Sequence, residues 1–209
     1  LKHLSPARYM VVVTYTNSAT DNIKKRLSKR IVPPPNLFIG TIHSFLNRFV
    51  VIPFSSFHDT TIGKEKLFLQ CQSDDVFESY QKSQGKKFSD KQAAYIKAQI
   101  KKNLNEKGYI SFDQTLFLAR ECVSNDRILG ILSNRIQYLF IDEFQDTNNA
   151  IFEIVDRIRR KKMTKIYCVG DPEQFIQSFD TKSKIFKNIP ILKTLEKTTF
   201  EITFNTANH

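Results

Sequence analysis

The chain has 209 residues, 41% hydrophobic and 25% charged, with 32 Lys and Arg against 21 Asp and Glu for a net charge of +11. That length buries a core without disulfide or metal staples, and the composition excludes disordered, collagen-like and small disulfide-framework proteins. A basic excess of this size favours a polyanionic partner, either nucleic acid or an anionic membrane surface.

Tyr9 to Tyr15 (YMVVVTY) is apolar almost throughout and β-branched, as expected of a parallel strand covered on both faces. A helix is expected from near Ser18, where Ser18 and Asp21 resemble a capping box and Ala19, Ile23 and Leu27 recur every four residues. Pro33 to Pro35 end it. A second strand, Leu37 to Thr41, leads into a helix carrying Phe45, Leu46 and Phe49. Strand and helix alternating in this way signal a parallel α/β sheet.

From about Pro53 to Arg135 only helices are expected. Ser89 with Gln92 forms another capping box, and Ile96, Ile100 and Leu104 line one face of the helix it opens. Eight lysines stand between Lys82 and Lys107 against Asp90 and Glu106. A solvated helix face is the plain reading of that run. The whole stretch reads as a helical insertion, dividing the chain into 1–52, 53–135 and 136–209.

Strand signals return at Gln137 to Ile141. A helix follows from Thr147 with Ile151, Ile154, Val155 and Ile158 on one side, then a strand at Lys165 to Val169. Ile189 to Leu195 and Phe200 to Phe204 suit a final loop and strand. Cys71, Cys122 and Cys168 are odd in number and stand in no C-x-x-C spacing, so a reducing, cytoplasmic setting suits them better than a disulfide set or structural zinc. No membrane span and no leader pattern is apparent. The first residue, Leu1, suits a trimmed fragment.

The strongest chemical signal is Phe140 to Asn148, FIDEFQDTN. Two adjacent carboxylates directly after a buried strand sit at its carboxyl end, where open α/β sheets bind ligands. Mg²⁺ takes one or two carboxylates together with substrate phosphates, so Asp142 suits a metal ligand and Glu143 suits a group that orients and deprotonates water. The plainer alternative is that both acids only cap or charge a loop. A second apolar strand ends in Tyr167 to Gln174, YCVGDPEQ, where a glutamine suits a hydrogen bond to a terminal phosphate. Alone, Gly-Asp-Pro is an ordinary turn.

In this order, TYTNSA (Thr14 to Ala19), GTIHSF (Gly40 to Phe45), YISFD (Tyr109 to Asp113), DEFQDTN (Asp142 to Asn148) and VGDPEQFI (Val169 to Ile176) resemble the superfamily 1 DNA helicases of the UvrD/Rep type. The resemblance runs from the family's motif Ia to motif III and covers nearly the whole chain. It implies an α/β, RecA-like parallel sheet of the P-loop NTPase fold with an inserted helical subdomain, with ATP and Mg²⁺ as cofactors. Single-stranded DNA is the implied partner, alongside repair or recombination proteins, and the family mostly travels 3′ to 5′.

By that resemblance Asp142 is the Mg²⁺ carboxylate, with Glu143 beside it as catalytic base. Gln174 is the γ-phosphate contact, and Asp171 lies in the same nucleotide-binding turn. Thr14, Tyr15, Thr16 and Asn17 form the first DNA-contacting motif, and Thr41, His43 and Ser44 the second. Tyr15 is open to two readings, stacking on a base or packing in the core.

The departures are specific. A phosphate loop of the form G-x-x-x-x-G-K-[ST] is absent, since neither Gly63-Lys64 nor Gly85-Lys86 fits it. The family places that loop shortly before its first DNA motif, so truncation before Leu1 is expected, and the fragment alone is not expected to hydrolyse ATP. Gln177 and Asp180 stand where the family has an aromatic and a basic residue, and Asn205 stands where it has a phosphate-sensing arginine. These three favour a competing reading as a non-catalytic module that binds single-stranded DNA or a protein. A third reading, an anionic-membrane binder, lacks a bulky aromatic interfacial face.

Overall fold

The computed structural model describes residues 3–57, 69–70, 73–170 and 200–204. The chain divides into two compact units, one made of Leu1–Phe45 with Val123–His209 and the other of Leu46–Cys122.

The first unit is built on a parallel sheet. Its strands are β1 (Tyr9–Thr14), β2 (Leu37–Thr41), β5 (Ile136–Ile141), β6 (Lys165–Gly170) and β7 (Phe200–Phe204), in the order β2-β1-β5-β6-β7. Each neighbouring pair runs parallel. Buried Val11 and Val13 of β1 alternate with half-buried Met10 and Val12, and Leu139 and Ile141 of β5 alternate with Tyr138 and Phe140. One face of the sheet is thus the core face, and the other is only partly covered.

Chain handedness explains the two faces. The crossover from β1 to β2 through α1 (Asn17–Ser28) and that from β5 to β6 through α7 (Asn149–Arg160) run in opposite directions across the sheet. Right-handed crossovers therefore put the two helices on opposite faces. Helix α7 buries the expected stripe, Ile151, Ile154, Val155 and Ile158. It begins where Asn148 accepts the Ile151 N–H at 2.9 Å, one residue later than Thr147. Helix α1 presents Ile23 and Leu27 to the partly covered face and Ile31 follows it there, leaving a groove of about 470 Å³ against Met10, Val12 and Phe140.

Local capping differs from the sequence expectation at one end. The N-cap of α1 is Thr16, not Ser18: Thr16 is extended and its hydroxyl accepts the Ala19 N–H at 3.1 Å. The helix also stops at Ser28, before the prolines are reached.

Helix α2 (Ile42–Leu46) belongs to the first unit up to Phe45; the second unit begins at Leu46 and continues in a wider π-type turn, Asn47–Val51, that buries Phe49, Val50 and Val51. Helices α3 (Ser73–Gln84), α4 (Asp90–Glu106) and α5 (Phe112–Ser124) follow. The Ser89–Gln92 capping box forms as its residues predict. The stretch is not purely helical, because β3 (Leu69–Gln70) pairs parallel with β4 (Tyr109–Ile110). Two-residue strands carry too little periodicity to be visible in sequence. Helix α6 (Asp126–Arg135) belongs to the sheet unit, although it lies inside the stretch read as insertion. Among the described residues no helix is long and apolar enough to cross a membrane.

Candidate functional site

Strand order locates the site. From β1 the chain moves to β2 on one side and later returns as β5 on the other, so the sheet has a switch point between β1 and β5. Ligands of open α/β sheets bind outside the carboxyl ends of strands at such a point. The Asp142 N–H donates to the Val13 carbonyl at 2.9 Å, extending the ladder one residue past β5 and fixing the acid pair at that edge.

Glu143 has φ 52° and ψ 45°, a left-handed backbone that non-glycine residues adopt uncommonly. Conformations of this kind cost about 1–3 kcal/mol and persist where their surroundings enforce them. Here Asp146 N–H donates to the Glu143 carbonyl at 2.9 Å, closing a tight turn over Phe144–Asp146. The Gln145 amide, buried beneath the turn, donates to Glu143 Oε2. Gly170, at the tip of β6, permits this packing: a Cβ there would meet Gln145 Oε1 at 2.6 Å and the Phe144 nitrogen at 3.1 Å.

The acids of the site act on one another. Burial first, and then the neighbouring Glu143 carboxylate, push the Asp142 carboxyl above the usual range, against a lowering backbone hydrogen bond from Glu143. Asp146 is raised by the same two causes in the same order. Among the described residues no group of three or more His, Cys, Asp or Glu forms a metal cage. The donors that Asp142 and Glu143 present are hard carboxylate oxygens, of the kind Mg²⁺ takes in small number beside phosphate and water.

The residues expected to form the first DNA-contacting motif fold around β1's tip. Thr14 is fully buried, and its hydroxyl bonds the Thr16 carbonyl and the Thr20 hydroxyl, each at 2.9 Å. Thr16 is engaged as the α1 cap, while Asn17 opens that helix on the surface. Tyr15 is half-buried, and its hydroxyl pairs with that of buried Thr147 at 2.5 Å. Burial raises the Tyr15 phenol well above its ordinary value. In the second motif Thr41 ends β2, and its hydroxyl accepts the Ser44 N–H at 3.2 Å and pairs with the Ser44 hydroxyl at 2.8 Å. His43 is half-buried in the first turn of α2. Asp171 and Gln174, with Gln177, Asp180 and Asn205, lie outside the described residues.

The structure brings Asp142 and Glu143 together with the β1 tip through two links: Asp142 N–H to Val13, and Tyr15 to Thr147. Sequence reasoning gave no role to Gln145, Thr147 or Gly170. The signals available were a glutamine between acids and a glycine directly after a strand, but glutamine is ordinarily an exposed residue and the pairing needs the third dimension.

These features define a parallel α/β domain of the kind that binds nucleotides at its strand ends. Residues 53–188 match the UvrD/REP helicase N-terminal domain. The chain is 25% identical over 224 residues to the ATP-dependent DNA helicase Rep of Buchnera aphidicola subsp. Acyrthosiphon pisum, an alignment covering 88% of this chain and 35% of that protein. The probable DNA helicase II homolog of Mycoplasma capricolum is 27% identical, over 85% of this chain and 29% of its own length. RecBCD enzyme subunit RecB of the same Buchnera is 30% identical over 59% of this chain and 11% of the relative. The chain belongs to the UvrD/REP helicase N-terminal domain family and is homologous to ATP-dependent DNA helicases. It spans about a third or less of these relatives' lengths.

Proposed function

We propose that these residues are the first RecA-like motor domain of a cytoplasmic ATP-dependent DNA helicase or translocase that moves on single-stranded DNA, in the family's usual 3′ to 5′ sense. The observation that carries this reading is the charged pair Asp142–Glu143, held at the tip of β5 beside the sheet's switch point with Asp142 shifted toward its neutral form. A pair so disposed invites a cation.

Bound Mg²⁺–ATP would supply the phosphoryl group that is transferred to water. Asp142 would hold the metal. Glu143, steadied by the Gln145 amide, would orient a water molecule and accept its proton at the carboxylate oxygen left free by that amide. Gln174 and Asp171 complete the nucleotide set in this proposal. Thr16, Asn17, Thr41, His43 and Ser44 would face the DNA strand, with Thr14 shaping the turn beneath them and Tyr15 linking it to Thr147. Residues 53–135 are read as the insertion within this motor domain, and the 209 residues alone are proposed not to turn ATP over. Repair or recombination proteins are the proposed further partners.

Gln177, Asp180 and Asn205 favour a second reading, a non-catalytic module that holds single-stranded DNA or a protein. One assay separates the two. The full-length gene product is expected to hydrolyse ATP faster when a single-stranded oligonucleotide is added; oligonucleotide binding with no turnover would select the module instead.

A further inference from the structure

The lysine-rich helix α4 is organised beyond a merely solvated face. Lys91, Tyr95, Ala98 and Lys102 stand at i, i+4, i+7 and i+11, which is one stripe of an α-helix, and all four are exposed. Tyr95 leaves 67% of its surface open, although a tyrosine buries well and α4 has apolar neighbours to offer on its other side. The stripe is about 16 Å long at 1.5 Å per residue. Ala98 leaves room next to the ring.

The charge around the stripe is unspent. Among the described residues Lys82, Lys87, Lys91, Lys102 and Lys107 form no ion pair, and all five are exposed. By contrast the arginines of α7 are tied to acids, Arg157 to Glu153, and Arg159 and Arg160 to Asp156. Lys86 and Lys97 instead sit over aromatic rings, 5.7 Å from Phe88 and 4.9 Å from Phe77. Phe88 also stacks on half-open Tyr80, with ring planes 12° apart. The hairpin of α3 and α4 thus holds a fixed aromatic base while presenting free ammonium groups.

We propose that the Lys91–Tyr95–Lys102 stripe is a second binding surface for single-stranded nucleic acid, on which one unpaired base stacks on Tyr95 and the flanking lysines take backbone phosphates. An exposed aromatic ring between cations is what single-strand binders use, because every base has a face to stack and every nucleotide a phosphate. A fully paired duplex offers its phosphates to the lysines but no base face to the ring, so the ring distinguishes the two. The surface lies in the Leu46–Cys122 unit and uses none of the strand-end residues. It rests on the reading of the chain as DNA-binding only in its choice of ligand.

The test is fluorescence anisotropy of the 209-residue chain with a single-stranded oligonucleotide and with the matching duplex, at several salt concentrations. Tyr95→Ala is expected to weaken single-strand binding roughly 5- to 150-fold, the range for one stacked base, and to leave duplex binding unchanged. Tyr95→Phe should retain the affinity. Lys91→Gln with Lys102→Gln should lower the slope of log affinity against log salt by about 1.4. The control pair Arg127→Gln with Lys162→Gln, exposed in the other unit, should lower it less. Equal slopes for both pairs, or a Tyr95→Ala variant that binds like the parent, would overturn the proposal while leaving the strand-end site standing. A chain that binds neither oligonucleotide at low salt would overturn both. Circular dichroism of each variant separates lost binding from lost folding.

Discussion

The amide of Gln145 donates to Oε2 of Glu143 from a position 2% exposed to solvent. This bond fixes a carboxylate whose backbone is already in the left-handed region, so the side chain has one orientation to offer water. Gln145→Leu keeps the volume and removes the donor. In the full-length protein it is expected to lower ATP turnover about 10-fold or more with little change in nucleotide affinity, read from kcat and KM. Gln145→Glu should do worse, since it adds a further acid beside Asp142, Glu143 and Asp146.

Gly170 guards that arrangement. Gly170→Ala places a methyl group 2.6 Å from Gln145 Oε1 and close to the Phe144 and Gln145 nitrogens. Overpacking of this kind costs about 1–3 kcal/mol. Thermal denaturation of the chain is expected to show the loss.

Asp142 gives a prediction with a sign. Its pKa in the folded protein lies above its unfolded value, so the folded state binds the proton more tightly. Its contribution to stability is therefore best at acid pH and is lost as pH rises through the folded pKa. In metal-free protein at neutral pH, Asp142→Asn is expected to raise the melting temperature slightly, on the order of 1–2 °C for this partly exposed group. The same variant should lose any stabilisation that Mg²⁺ confers on the parent. A melting temperature lowered by the substitution without Mg²⁺ would mean that the carboxylate is paired with an unseen cation partner.

Much of this was legible in the sequence. The strands at Tyr9, Leu37, Ile136 and Lys165 and the apolar stripe of α7 follow from runs and periods that no tertiary contact needs to correct. The motif at Asp142 announced its own position, because a strand followed by two acids has little choice of place in a parallel sheet. Other features were not legible. Thr16 holds the cap instead of Ser18 because the chain already turns helical at Asn17, where the Thr14 hydroxyl bonds the Thr16 carbonyl and the Thr20 hydroxyl. The β3–β4 pairing joins residues forty apart in sequence. The role of Gly170 depends on a turn from a different part of the chain.

Tyr15 is tied to Thr147 through its hydroxyl. Tyr15→Phe keeps the ring and removes its bond to Thr147, leaving a buried hydroxyl without this partner. A loss of about 1 kcal/mol is expected by chemical denaturation. Tyr15→Ala should cost more, and a neutral Tyr15→Phe would show that the hydroxyl pair adds nothing to the fold.

The most direct measurement is ATP turnover by the full-length protein beside its Glu143→Gln variant, with Mg²⁺–ATP affinity determined for both. The substitution retains size and hydrogen bonding but removes the proton acceptor. Turnover should fall at least about a hundredfold while affinity stays within a few-fold of the parent. Undiminished turnover in the variant would contradict the placement of the catalytic base at the tip of β5.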